Sequence, residues 1–322
     1  MRKSVSILII LVLACAVCSQ SNARLVATTD GHVHILSPAL IKAWKGMGIP
    51  FSRPDEYYSD IDTILRNTAE RIDLVSMAHV YSSEEFGGAF DNERQLVESE
   101  NSFVAAARDK YPKRIRAFCS VDPLRDYALA ELERCRTTLK MDGIKLHNNA
   151  NQVYLTVPEH LEKVKAVFEF AARHRLPVLL HFDNSHRRFG EPDVKLLTGS
   201  ILKDLPPVKL RIAHFGTSGG FNQRTRAFLN AFITAFANDP YLKRHRITFD
   251  ISAVALDKDS EGVPRLTDAE FAVLARYIRR LGPERITFGT DYLLYTPAEY
   301  AAILKTRVGL TDRELRAILK ER

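Results

Sequence analysis

Asp30-Gly31-His32-Val33-His34-Ile35-Leu36-Ser37-Pro38 is the stretch on which the reading of the fold turns. It closes an apolar, strand-like run that begins at Leu25, and the turn from His34 to Pro38 contains no glycine. A doubly wound open sheet binds nucleotides through a Gly-rich first turn such as G-x-G-x-x-G. That architecture is therefore the runner-up.

Seven further strand-like runs follow the first: Ile72 to Val80, Ile115 to Val121, Gly143 to His147, Val178 to Phe182, Leu210 to His214, Ile247 to Ser252 and Ile286 to Asp291. Between them the hydrophobic period changes from 2 to 3.6. In Pro158 to His174, Leu161, Val164, Phe168 and Ala171 share one helical face, and Pro158 suits a first-turn position. Removing the first 23 of the 322 residues leaves 299, which over eight units average about 37 each. That count matches a (β/α)8 TIM barrel, an α/β fold in a single domain over 24–322 that ends in trailing helices from Ala298.

Composition agrees with a globular chain: 46% of residues are hydrophobic and 26% charged. Lys plus Arg number 46 against 39 Asp plus Glu, for a net charge of +7, but the basic residues are scattered and form no run that would track a phosphate backbone. No nucleic-acid partner is expected. The first 23 residues read as a signal peptide: Arg2 and Lys3, an apolar run from Val5 to Val17, then Ser21-Asn22-Ala23 as a cleavage site. The run falls short of the roughly 20 apolar residues a membrane span needs, so the expectation is export to the periplasm with no membrane span. A lipid anchor on Cys15 is the minor alternative, because Leu13 is a poor fit to a lipobox. Cys119 and Cys135 remain in the mature chain, and ordinary buried thiols are expected for both.

The chemistry-bearing residues fall at strand ends. His32 and His34 are two apart, so on a strand they point to the same side. His181, His214 and Asp291 each end an apolar run, at spacings of 33 and 77 residues, close to one and two repeat units. Every one of them thus belongs on the C-terminal rim, where barrel active sites lie. Clustered imidazoles with a carboxylate suit a borderline-soft divalent metal such as zinc.

Those motifs together resemble the amidohydrolase superfamily, in its amidohydrolase-related branch, over the whole mature chain. The matching elements are D-x-H-x-H at Asp30 to His34, G-I-K-L-H at Gly143 to His147, L-L-H at Leu179 to His181, A-H-F-G at Ala213 to Gly216 and F-G-T-D-Y at Phe288 to Tyr292. The resemblance implies that His32, His34, His181 and Asp291 hold one zinc ion, with His214 a catalytic histidine and Asp291 also a proton acceptor. A divalent cation lowers the pKa of its water from 15.7 to about 7 and polarises a carbonyl. In some branches a carboxylated lysine bridges two ions, and Lys145 occupies that place; one ion is favoured, with Lys145 lining the pocket. His147, Arg187 and Tyr292 are further candidates for substrate contact, and Asp250 and Ser252 for support behind the ligands. His79 is expected to be structural. The chain departs from the family in ending at Leu319-Lys320-Glu321-Arg322 without a closing Gly-Asn-Ala stretch.

The expected activity is hydrolysis of an amide, ester or lactone of a small molecule by metal-activated water. The alternative is a metal-dependent decarboxylase of a small aromatic or unsaturated acid; a barrel retained as a binding protein is a third. Gly216-Thr217-Ser218-Gly219-Gly220 matches the serine-hydrolase pattern G-x-S-x-G, but no acid-then-histidine pair follows it suitably, since His245 comes only 27 residues on. Asp257 to Gly262 echoes a calcium loop with Asp268 where a bidentate Glu belongs, and reads as a solvated turn. A homodimer is expected of a barrel of this size.

Overall fold

The computed structural model describes residues 27–83, 90–260 and 262–320. The leader expected over residues 1–23, with Cys15 and Cys18, lies outside the described residues. Eight strands form one sheet in sequence order, every adjacent pair parallel: β1 (Thr29–His34), β2 (Arg71–Val75), β3 (Ile115–Ser120), β4 (Gly143–His147), β5 (Val178–His181), β6 (Lys209–Ile212), β7 (Arg246–Asp250) and β8 (Ile286–Thr287). The seam between β8 and β1 is closed by Gly31 N donating to Phe288 O at 2.9 Å, Asp291 N donating to His32 O at 3.1 Å and a parallel bridge between Val33 and Tyr292. The chain is a (β/α)8 barrel.

Gly31 is needed at that seam. A Cβ there would lie 2.6 Å from Arg211 Nη1 and 2.9 Å from Phe288 O, so any side chain would force the seam apart. Each strand alternates, with one set of side chains buried against the helices and the other filling the barrel. Inside, Val75, Phe118, Leu179 and Ala213 make a small apolar layer. Below it lies buried Asp73, which accepts from Arg116 at 2.7 and 3.0 Å and from Arg211 at 2.6 Å. Above it are the histidines.

The helix expected over 158–174 spans Pro158–His174 with Val164, Phe168 and Ala171 buried and Pro at its first turn. The last three helices, Asp268–Leu281, Pro297–Thr306 and Asp312–Leu319, each begin with a threonine paired reciprocally with a glutamate three residues on, so the exposed N–H groups of their first turns are satisfied. Among the described residues no helix is long and apolar enough to cross a membrane.

The cysteines correct the sequence reading. Cys119 on the outer face of β3 and Cys135 on the covering helix Ala128–Thr137 are joined as a disulfide, their Cα atoms 6.2 Å apart. Helix docking sets that approach; nothing in the two separate stretches of sequence specifies it.

Candidate active site

Six of the ten histidines form one chain of touching rings at the C-terminal end of the barrel. Centroid separations run 4.8 Å from His79 to His147, 3.8 Å to His181, 5.2 Å to His214, 4.8 Å to His32 and 4.9 Å to His34. The residues come from β1, β4 and β5 and from the segments just beyond β2 and β6, so the barrel alone brings them together.

His32, His34 and Asp291 are the tightest group, each offering one ligand atom within 4.8 Å of the others. His34 Nε2 lies 3.5 Å from Asp291 Oδ1. His32 is fully buried, and its Nδ1 lies 2.8 Å from Asp250 Oδ2. A carboxylate only accepts, so the His32 proton sits on Nδ1 and the lone pair on Nε2. That Nε2 is buried and has no hydrogen-bond partner among the described residues. A buried imidazole nitrogen so oriented, with a second imidazole and a carboxylate beside it, fits a divalent metal and is costly to leave without one. Burial, then the Lys145 cation, holds His32 far below the usual imidazole range, which keeps the lone pair available. Burial pushes the Asp291 carboxyl up, but the imidazoles of His214, His34 and His32 outweigh it and the net shift is well downward.

His181 stands beside this group rather than in it. Its Nε2 is 3.1 Å from Ser218 Oγ. His214 has its Nδ1 2.8 Å from the Ser252 carbonyl, which can only accept; its proton therefore lies on Nδ1 and its Nε2 is a proton acceptor.

Two of these residues lie beyond their strands, where the sequence reading placed them at strand ends. β6 stops at Ile212 and β8 at Thr287, and His214 (φ 50°) and Asp291 (φ 53°) adopt left-handed backbone, as do Phe215 (φ 53°) and Ala253 (φ 54°). Such conformations are uncommon for residues with a Cβ and concentrate at functional sites.

Lys145 is buried inside the barrel; burial pulls its pKa down to about 8 although Asp291 and Asp250 act to raise it, so it remains an ammonium at neutral pH. His147 accepts from Ala150 N at 3.1 Å through Nδ1 and stacks on His181. His79 is buried and bonded through Nδ1 to Ser120 Oγ at 2.6 Å; it extends the histidine array as well as packing the barrel. Tyr292 is buried in the β1–β8 seam next to Asp291. Arg187 stands exposed on the loop after β5, and the arginine this loop engages is Arg224, bonded to Asp183 at 2.6 Å. Sequence reasoning gave no role to Arg224 or to Asp30. Asp30 is fully buried and accepts from Thr290 N (3.0 Å), Thr290 Oγ1 (2.5 Å) and His32 N (3.2 Å), tying the two ends of the site together, and burial pushes it up to about 7. The signal for Asp30 was its place in the D-x-H-x-H motif; no local signal marks Arg224.

A family model described as amidohydrolase matches residues 29–321. The chain belongs to the amidohydrolase family. Among solved structures, this amidohydrolase resembles the manganese-bound 5-carboxyvanillate decarboxylase of Novosphingobium aromaticivorans, at 14% identity over 92% of this chain and 95% of that one, with TM-score 0.62. It also resembles a 2,6-dihydroxybenzoate decarboxylase (16% identity, 91% and 96% covered, TM-score 0.60). A third likeness is to 4-oxalomesaconate hydratase from Rhodopseudomonas palustris (13% identity, 91% and 93% covered, TM-score 0.57). No curated protein matches the amidohydrolase in sequence.

Proposed function

We propose that this amidohydrolase is an exported, metal-dependent hydrolase of an amide, ester or lactone in a small molecule. One observation carries the choice of hydrolysis: the Ser252 carbonyl holds the His214 proton on Nδ1, leaving Nε2 as a base beside the His32–His34–Asp291 group. His32, His34 and Asp291 would hold the metal, with His181 as the expected fourth donor. Bound there, a divalent cation supplies a Lewis acid that lowers the pKa of water and polarises a carbonyl. His214 Nε2 takes the proton from the attacking water and returns it to the leaving group, while the Ser252 carbonyl stabilises the imidazolium through Nδ1–H. Lys145, buried next to these groups, attracts the developing negative charge on the substrate.

Decarboxylation of a small aromatic or unsaturated acid is the second reading. The buried Lys145 ammonium suits a substrate carboxylate, and two of the resembling proteins are decarboxylases. Zinc suits the two imidazoles and one carboxylate, and the manganese in the first of those decarboxylases makes manganese the other ion to test. The apolar leader and the Cys119–Cys135 bridge, a bond that persists in oxidising compartments, support export to the periplasm. The small-molecule substrate and a homodimer complete the reading.

Metal content and product analysis of the purified chain test it. About one ion per chain is expected, lost in His32→Ala and kept in His214→Gln, with turnover of the second variant down by about 10²–10⁴. Release of carbon dioxide in place of a new carboxylate would select decarboxylation; a chain that takes up no metal after reconstitution would end both readings.

A further inference from the structure

Ser218, the centre of the G-x-S-x-G stretch, has a use in the structure that is not nucleophilic. Its hydroxyl lies 3.1 Å from Asp183 Oδ2 and 3.1 Å from His181 Nε2. Asp183 is buried, and its other oxygen accepts from Arg224 Nη2 at 2.6 Å and from Ser185 N at 2.9 Å. Arg224 is itself fixed, donating from Nη2 to the His186 carbonyl at 3.0 Å and lying over the Phe189 ring at 5.0 Å. These contacts make an unbroken line from Arg224 through Asp183 and Ser218 to His181.

The line has a direction. An ion-paired carboxylate has no proton to give, so the single proton of Ser218 goes to Asp183 Oδ2. The serine oxygen can then only accept from His181, which requires that Nε2 carry a hydrogen. The reverse arrangement, with Ser218 donating to His181, would leave Asp183 Oδ2 without a donor among the described residues. We propose that Arg224, Asp183 and Ser218 form a positioning relay that fixes His181 as its Nε2–H tautomer, leaving Nδ1 as the one nitrogen this ring can offer as a ligand or base. The same polarity disarms Ser218 as a nucleophile, because its neighbouring imidazole presents a hydrogen where a base would present a lone pair.

The inference about Nδ1 rests on the metal reading only in what that nitrogen is for; the tautomer stands without it. Two-bond 1H–15N spectra of the imidazoles in the full chain, chelator-treated and zinc-loaded, read it, with His181→Gln identifying the resonance. Wild type is expected to show Nε2 protonated in both samples, with Nδ1 free in the first and ligated in the second. Asp183→Asn is the decisive variant. Its amide oxygen must face Arg224, so its NH2 faces Ser218, the serine proton turns to His181, and the tautomer inverts to Nδ1–H. Zinc affinity then falls by about 10–100-fold, as removal of supporting partners does at other metal sites. Ser218→Ala should populate both tautomers, and Ser218→Thr should restore the wild-type pattern. A wild-type Nδ1–H ring, or an Asp183→Asn spectrum identical to wild type, would overturn the relay. A correct tautomer in a chain that takes up no zinc would overturn the metal reading and leave the relay standing.

Discussion

His32 shows how one side chain depends on its neighbours for its chemistry. Its lone pair is on Nε2 because Asp250 lies 2.8 Å from Nδ1, and it stays neutral because burial disfavours the charged ring. Asp250 is itself held by Ser252 N at 2.8 Å. Asp250→Asn keeps the size but loses the charge that orients the imidazole, so metal affinity should fall by about 10–100-fold in a chelator competition. Unchanged affinity would show that packing alone orients His32. The H-x-H spacing made His32 and His34 legible in the sequence, since period 2 puts them on one side of a strand. Asp250 was legible as a strand-end acid that could support the ligands, but its pairing with His32 was not, because 218 residues separate the two.

Elements differ in how far their own residues explain them. The helix Asp312–Leu319 is specified locally: Thr311 Oγ1 accepts from Glu314 N, and the Glu314 carboxylate accepts from Thr311 N at 2.8 Å. Arg279 binds the same carboxylate at 2.7 Å from another helix, and this hydrogen bond is the main reason that the Glu314 pKa drops to about 2. An acid with a lowered folded-state pKa adds stability above its unfolded value, and that stability is lost as the acid becomes protonated in the folded state. The contribution is therefore complete above about 4.5 and disappears as pH falls toward about 2. After allowance for solvent screening, Glu314→Gln should cost about 1 kcal/mol at pH 7, and the difference from wild type should vanish near pH 2. Urea titrations at several pH values measure it; a pH-independent difference would refute the charged pairing. By contrast, β6 and β8 end earlier than their sequence suggests. The apolar pattern continues to His214 and Asp291, but the backbone turns left-handed there to aim both side chains across the mouth. Hydrophobic alternation carries no information about that turn.

At the scale of the molecule the barrel interior is stratified: ions at the floor, a thin apolar layer, then histidines at the mouth. The floor is a test of how the barrel is held. Asp73 is fully buried and is the acceptor for both Arg116 and Arg211, while Arg211 Nη1 also donates to Gly31 O at 2.5 Å across the seam. Removing the acid leaves arginine charge inside the barrel without its carboxylate, so Asp73→Ala should destabilise by about 3–5 kcal/mol. The expected sign in calorimetry is a clearly lower Tm; a loss below 1 kcal/mol would mean that water replaces the acid freely. Replacing Asp73 and both arginines together with apolar residues of similar volume should recover much of the loss, because a packed apolar layer avoids the cost of burying the ions.

Eight alternations of strand and helix were countable in the sequence because a buried parallel strand and an amphipathic helix leave different periods. The first-strand turn without glycine spoke against an open sheet, and the H-x-H pair gave two of the three residues of the tightest ligand group. Local chemistry also specified the helix starts, since a capping residue and its partner are three positions apart. The tertiary structure decided everything that depends on distance in space: the Cys119–Cys135 bridge, the line from Arg224 to His181, the pairing of Asp250 with His32 in particular, and the place of His181 beside the His32–His34–Asp291 group and not within it. The physical reason is that closing the barrel brings side chains up to 260 residues apart into hydrogen-bond range, as between Asp30 and Thr290, and pairings at that separation leave no period in the chain to be read.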